Sequence, residues 1–198
     1  MKSVARFSSL QNTFYLLRHG RSHANAQRLI VSDFSVGQIG FGLTDDGADQ
    51  VRANLVAVKR ELPDFTRIHA SDFLRTRQTA MLASEVLAAP VELSPQLRER
   101  GFGDFEGQSS DRYDQVWEQD AVDPTHTHWN VESVQSVAAR MIECVLEIDR
   151  SGSGETYLLV SHGDPLQILI TVAQGTDLRR HRRLKPLGTA EVRPLPSS

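Results

Sequence analysis

The sequence predicts an α/β fold in which helices cover both faces of a mostly parallel β-sheet. Continuous apolar runs at residues 13–17 and 155–160, with a weaker one at residues 67–70, have the composition of strands buried on both faces. Amphipathic helical patterns alternate with these runs, as they do in α/β proteins. Because 198 residues suit one domain, we expect a single-domain, three-layer α/β/α sandwich over residues 1–198.

Four helices are predicted from apolar residues that recur at spacings of three and four. Thr44 can cap the first of them, and Pro63 ends it. The second covers about residues 72–89, and a Ser-Gly break at residues 151–154 ends the third. The four helices are expected to begin near Thr44, Asp72, Glu132 and His162.

The polar segment 108–130 is predicted to be a lid-like excursion over one edge of the sheet. It holds both tryptophans, Trp117 and Trp129, so at least one of them is expected to add apolar surface near the ligand crevice. Packing of both onto the body of the domain is the alternative. His126 and His128 have no carboxylate or thiol motif beside them to complete a metal site, and they are expected to be solvated loop residues.

The composition restricts the partners that this protein can have. A formal net charge of −3 argues against bulk attraction to nucleic acid or to anionic membranes. The N-terminus lacks the apolar core of a secretory signal, and no run approaches the roughly 20 apolar residues that span a bilayer, so a cytoplasmic location is expected. The basic run at residues 179–185 is expected to be a solvated loop face. The oligomeric state stays open, with a homodimer as one alternative.

Chemically active side chains follow all three predicted strands. Arg18 and His19 follow the first, Arg75 lies one turn into the helix after the second, and His162 follows the third. Ligands of open parallel sheets bind beyond the carboxyl ends of the strands, so these groups are expected to converge on one crevice. A neutral imidazole can attack phosphorus, and arginines bind phosphate oxygens in bidentate fashion. The glycines expected to let the backbone approach a phosphate are Gly20 and Gly163.

Short motifs surround these residues in a fixed order, from Thr13 to about Leu169. They are Arg18-His19-Gly20 with Ser22 and Asn25; Leu43-Thr44-x-x-Gly47-x-x-Gln50; Ser71-Asp72-x-x-Arg75-Thr76-x-Gln78-Thr79; Leu97-Arg98-Glu99 followed by Gly103-Asp104-Phe105-Glu106-Gly107; and, with Glu132-Ser133, Val160-Ser161-His162-Gly163. Together they resemble the histidine phosphatase superfamily, the phosphoglycerate mutase-like family, in its phosphatase branch. One Arg-His-Gly triplet is a weak signal, whereas five ordered motifs are specific.

The resemblance implies a phosphoglycerate mutase-like fold and hydrolysis of a small phosphorylated metabolite through a phosphohistidine, without metal or cofactor. His19 would become phosphorylated. Glu99 would protonate the leaving oxygen and then activate water. The groups implied to hold the phosphoryl group are Arg18, Asn25, Arg75, His162 and Gly163.

Departures from the family pattern concern the substrate side. Arg21 stands where the family commonly has an acidic residue or Gln, and the stretch between Asn25 and Leu43 looks several residues longer than in typical mutases. Asp164 follows the last motif, where it rivals Glu99 as proton donor, although its place suits the N-cap of the next helix. The candidates for the substrate side are Arg21, Ser22 and Asp164.

Two other functions stay open at this point. A phosphoglycerate mutase would use the same groups but return the phosphoryl group to its substrate. A binding module with a dead site would require the loss of one of the core residues, all of which are present. The sequence does not identify the physiological substrate.

Overall fold

Five strands form one sheet in the computed structural model, which describes residues 10–196. The strands are β1 (Thr13–Arg18), β2 (Arg67–Ala70), β3 (Val91–Leu93), β4 (Thr156–Ser161) and β5 (Val192–Pro194). Their order is β3-β2-β4-β1-β5, and every pairing is parallel except that of β5 with β1. Most of the N-terminus, where the sequence predicts no secretory signal, lies outside the described residues.

Helices cover both faces of this sheet, which confirms the predicted α/β/α sandwich with a mostly parallel sheet. In the described part of the chain they are α1 (His23–Gln27), α2 (Phe34–Gly37), α3 (Asp45–Val58), α4 (Leu74–Leu87), α5 (Tyr113–Val122), α6 (Val134–Asp149) and α7 (Gly163–Ala173). None of the helices within residues 10–196 combines the length and the apolar character that crossing a membrane requires.

Each face of the sheet carries its own apolar core, because successive strand residues point to opposite faces. In β1, Phe14 and Leu16 pack with α6 and α7, whereas Leu17 packs with α3 and α4. In β4, Leu159 joins the first core and Leu158 the second. This double burial is why the two central strands are continuous apolar runs in the sequence.

Some boundaries and elements differ from the prediction. α3 ends at Val58 instead of reaching Pro63, because the exposed residues 59–61 give another helical turn no apolar surface to bury. The edge strands β3 and β5 were not predicted, since each has three residues that are half-buried or exposed. Such short strands exist only because a neighbouring strand offers its free hydrogen-bonding edge.

The segment 108–130 contains a helix, α5, that the sequence analysis did not predict. Val116 is the apolar anchor of α5, and it is completely buried. Trp117 stacks on Tyr113 with ring centroids 5.2 Å apart, and Trp129 meets Phe105 edge-on at 5.4 Å. The small core beneath the segment consists of Ile30, Phe102, Phe105, Val116 and Val131.

Two expectations of solvated side chains are wrong. His126 is buried, and its Nε2 lies 2.8 Å from Asp120 Oδ1 on the unpredicted helix α5. The basic run forms a 3₁₀ helix at Leu178–Arg183 that buries His181 and lays Arg182 over the Trp117 ring, 3.7 Å from its centroid. The polar character of His126, His181 and Arg182 predicts exposure. They are buried or covered because their partners come from other elements of the fold.

Candidate active site

The carboxyl ends of β1, β2 and β4 lie side by side. Arg18 is in register with Ser161, and Ala70 with Val160, so the residues that follow these strands meet at one edge of the sheet. The convergence that the sequence predicts is therefore present in the structure.

His19 is held in one tautomer. Its Nδ1 lies 2.8 Å from the carbonyl oxygen of Gly20, and because a carbonyl only accepts, Nδ1 carries the proton. Arg75 Nε donates to His19 Nε2 at 3.2 Å, so Nε2 keeps its lone pair. Burial, with the charges of Arg75 and Arg18, holds the pKa of His19 well below its ordinary value. His19 is thus a neutral imidazole, the form that a nucleophile requires.

His162 lies behind His19, with ring centroids 5.3 Å apart, and it does not border the cavity directly. Its Nδ1 accepts from Arg75 Nε at 3.2 Å, which leaves Nε2–H to donate to Ser71 Oγ at 2.9 Å. Burial, with the charge of Arg75 and the neighbouring His19, holds the pKa of His162 well below its ordinary value. His162 is therefore neutral while no anion is bound.

Arg18 and Arg75 present unused donors to this region. Arg18 Nη1 donates to Leu187 O at 2.9 Å, and Arg75 Nη2 donates to Val31 O at 3.0 Å. Arg18 Nε and Arg75 Nη1 are buried without a hydrogen-bond partner among the described residues. A buried, unpaired donor costs about 1–3 kcal/mol, more if charged, so an oxyanion that accepts from both guanidinium groups would recover that energy.

Glu99 carries a largely buried carboxyl group, 10% exposed, that can hold a proton near neutral pH. Its Oε1 accepts from the backbone N–H of Arg100 at 3.0 Å, and its Oε2 lies 3.6 Å from both Arg75 Nη2 and His162 Nδ1. Burial raises the pKa of Glu99 to about 7, although Arg75 opposes the shift. A pKa in that range suits a general acid.

The two glycines of the motifs serve protein contacts. A Cβ on Gly20 would lie 2.6 Å from the carbonyl oxygen of Gly47, where the end of β1 meets the start of α3. A Cβ on Gly163 would come within 3.2 Å of the Arg18 guanidinium carbon. The approach of the Gly20 backbone to a phosphate therefore stays a prediction, whereas Gly163 makes room for the arginine and borders the cavity.

A cavity of about 160 Å³ opens beside His19. Arg18, Arg75 and Glu99 border it, together with Ser22 and Asn25, which also cap α1 by bonding each other. The exposed Arg21 is not among the bordering residues, and its place on the substrate side stays a prediction. Its backbone N–H donates to Gln50 Oε1, and its carbonyl oxygen accepts from Thr44 Oγ1. These two bonds tie Arg21 to the start of α3.

Asp164 borders the cavity but does not cap α7, because His162 holds the N-cap position. The capping role expected for Asp164 is therefore wrong, and its carboxylate pairs with Arg100 at 3.2 Å instead. Sequence reasoning missed several other bordering residues. Among them are Arg28, Tyr113, Arg182 and Pro186. Trp117 also borders the cavity, as the sequence predicts for one of the two tryptophans. The lid-like role of its segment stays a prediction.

Comparison with known families identifies the class of this protein. The model of the histidine phosphatase superfamily (branch 1) matches residues 14–195, and the chain therefore belongs to that superfamily. Among curated relatives, a probable phosphoglycerate mutase, GpmB, of Photorhabdus laumondii is 34% identical over 176 residues, covering 86% of this chain and 79% of the relative. The resemblance stated from the motifs is confirmed.

Solved structures agree on the fold. YhfR of Bacillus stearothermophilus matches with a TM-score of 0.75 and 26% identity, over 91% of this chain and 89% of that one. A mycobacterial glucosyl-3-phosphoglycerate phosphatase matches with a TM-score of 0.75 and 24% identity, over 91% and 87% of the two chains. The second likeness shows the fold alone. The structural neighbours thus include a phosphatase, and the curated relatives include a probable mutase.

Proposed function

We propose that this protein is a metal-independent phosphomonoesterase that forms a phosphohistidine at Nε2 of His19 and acts on a small phosphorylated metabolite. The hydrogen bond from His19 Nδ1–H to Gly20 O carries the proposal, because it leaves the Nε2 lone pair as the nucleophile. The two unpaired guanidinium donors of Arg18 and Arg75 support it, since they suit the oxygens of a phosphoryl group.

In the first step, Arg75 Nε turns from His19 Nε2 to a phosphoryl oxygen, the freed lone pair of Nε2 forms a bond to phosphorus, and the bond from phosphorus to the leaving oxygen breaks. Arg18 and Arg75 offset the charge on the phosphoryl oxygens, and Glu99 gives its proton to the leaving oxygen. A bound anion also favours the protonated form of His162, which can then donate from Nδ1. In the second step, water attacks phosphorus, ionised Glu99 takes its proton, and the P–N bond breaks.

Phosphoglycerate mutase activity is the second candidate, and the 34% identity to a probable phosphoglycerate mutase favours it. Both reactions share the phosphohistidine, and they differ in whether water or substrate accepts the phosphoryl group. Purified protein with 3-phosphoglycerate separates them: release of inorganic phosphate supports the phosphatase, and exchange between isomers without release supports the mutase. A panel of phosphorylated metabolites then identifies the substrate, and failure to turn over even an aryl phosphate would indicate a binding module.

Activity is expected to survive removal of metals. Arg18 and Arg75, with His162 once a bound anion favours its protonated form, supply the positive groups that a cation would otherwise contribute. The measurement is phosphate release before and after dialysis against EDTA, and at least about nine-tenths of the rate should remain if no step uses a metal. Full loss on chelation that Mg²⁺ or Zn²⁺ restores would contradict the proposed mechanism.

The rate with an alkyl phosphate is expected to fall as the pH rises above about 7. Glu99 must be protonated to assist the leaving oxygen, and its pKa of about 7 means that the acid form is lost above that pH. The lowered pKa of His19 keeps the nucleophile neutral on the acid side, so the first step should not slow there, whereas the second step needs ionised Glu99. The measurement is kcat for glycerol 3-phosphate against pH, which should fall about tenfold per pH unit on the basic limb. A rate that stays level to pH 9 would contradict the role of Glu99.

A further inference from the structure

One fully buried arginine, Arg100, joins several elements around the cavity. Its Nη1 and Nη2 donate to the two oxygens of Asp120 on α5 at 2.7 and 2.8 Å. Nη1 also donates to Asp164 Oδ2 on α7 at 3.2 Å, and Nε donates to the backbone oxygen of Glu132 at 2.7 Å. Four hydrogen bonds, to two helices and to the loop before α6, hold this guanidinium group in a single orientation.

Arg100 also touches Glu99, because its backbone N–H donates to Glu99 Oε1 at 3.0 Å. One residue therefore contacts both carboxyl groups that border the cavity, Glu99 through its backbone and Asp164 through its side chain. The two contacts differ in kind. A backbone N–H is neutral, whereas a guanidinium group forms an ion pair.

The surroundings of the two carboxyl groups are unequal. Asp164 has ion pairs with Arg100 at 3.2 Å and with Arg182 at 3.4 Å, whereas the nearest cation of Glu99, Arg75, lies beyond hydrogen-bond distance at 3.6 Å. The ionisable groups that face Asp164 are Arg18, Glu99, Arg100, Tyr113, Asp120, His181 and Arg182. Those that face Glu99 are Arg18, Arg75, Tyr113, His162 and Asp164.

We propose that Asp164 is a positioning residue for the proton on Glu99: Arg100, fixed by Asp120, holds Asp164 as the charged member of a carboxyl pair and leaves Glu99 as the protonated member. This inference rests on the proposed role of Glu99 as proton donor. Two buried carboxyl groups that share one site ionise unequally, and the one with the better ion pairs carries the charge.

The direction of both pKa shifts agrees with this assignment. Burial by itself raises the pKa of Asp164, but Arg100 and the other positive neighbours outweigh it and bring the pKa below the ordinary value. For Glu99, burial is the main cause of the raised pKa and the charge of Asp164 adds to it. A permanently charged Asp164 thus favours a proton on Glu99 in the free enzyme.

The test is a pair of titrations, with the variant Asp164→Asn compared with the unmodified protein. Carbon-13 NMR of glutamate-labelled protein follows Glu99, whose signal is assigned by its loss in Glu99→Gln. The Glu99 pKa should fall by about 0.5–1 unit in Asp164→Asn, since a like charge has been removed. The basic limb of kcat for glycerol 3-phosphate should move to lower pH by the same amount. An unchanged Glu99 titration overturns the proposal, as does a pKa near 4.5 in the unmodified protein.

The double variant Glu99→Gln, Asp164→Asn separates positioning from a general structural effect. If Asp164 acts through Glu99, the pH shift caused by Asp164→Asn disappears in the Glu99→Gln background. A shift that persists there overturns the inference.

The matched control is Asp149→Asn, because Asp149 is a buried carboxylate that bonds the backbone of Gln11 and Asn12 at the opposite end of β1. It should leave the pH profile of kcat in place.

Failure of the inference can be distinguished from failure of the proposed function. If Glu99→Gln retains full activity on glycerol 3-phosphate, Glu99 is not the donor and the proposed mechanism fails. If Glu99→Gln loses that activity but Asp164→Asn leaves the Glu99 titration in place, only the role of Asp164 fails. If Asp164→Asn does not fold, the titration of the unmodified protein still decides, because a Glu99 pKa near 4.5 contradicts the proposed pair.

Discussion

His19→Ala is expected to lower phosphate release from any phosphomonoester by roughly 10³-fold or more while the fold is retained. The reason is that His19 is the proposed nucleophile and that its neighbour His162 cannot replace it. His162 does not border the cavity, and its Nε2 is bonded to Ser71. The measurement is phosphate release at saturating substrate, with circular dichroism to check the fold.

Rapid quench with labelled substrate should trap a phosphoenzyme that is labile in acid and stable in base, and His19→Ala should not form it. His23→Ala is the matched control, since His23 is an exposed histidine on α1 that does not border the cavity. It should retain activity within about threefold, as surface changes outside a site usually do. More than about a tenth of the rate in His19→Ala would show that the covalent step is wrongly assigned.

Glu99→Gln is expected to act selectively, with a large loss on alkyl phosphates and a smaller loss on p-nitrophenyl phosphate. An alkoxide is a strong base that leaves poorly without a proton, whereas the nitrophenolate leaves unaided. We expect kcat to fall by about 10²–10⁴-fold for glycerol 3-phosphate, the range of general acid catalysis. The loss for p-nitrophenyl phosphate should be at least about tenfold smaller, although slower water activation can reduce both rates.

Asp164→Asn provides the comparison for this prediction. Well below pH 7, where Glu99 is protonated in both proteins, the variant should show a modest loss of similar size on the two substrates. The same measurements on both variants decide which carboxyl group is the donor. A selective loss in Asp164→Asn with a uniform one in Glu99→Gln would transfer the role to Asp164.

The elements that build the site could be predicted because their signals are local. The double burial of β1 and β4 makes them apolar runs, and the register of these parallel strands then aligns the residues at their carboxyl ends, including His19 and His162. Motif order along the chain was enough to name Arg18, Arg75 and Glu99 as further candidates, and the structure brings all five together.

The wall of the cavity could not be predicted, since its residues are joined by partners far apart in sequence. Helix α5 is mostly polar, and Val116 is its only fully buried apolar side chain, so no clear periodic pattern marks it. Arg182 looks like one charge in a solvated basic run, yet it lies on Trp117 and pairs with Asp164. Only the folded chain shows these contacts.

The α/β architecture, the superfamily and the candidates for the phosphoryl-binding groups could be predicted from the sequence, because hydrophobic periodicity and short motifs are properties of neighbouring residues. The tertiary structure alone decided the tautomer of His19, the direction of the Glu99 pKa and the partner of Asp164. These depend on burial and on charges brought together from distant parts of the chain. Coulomb energies and desolvation depend on distance in space, and the order of residues does not record that distance.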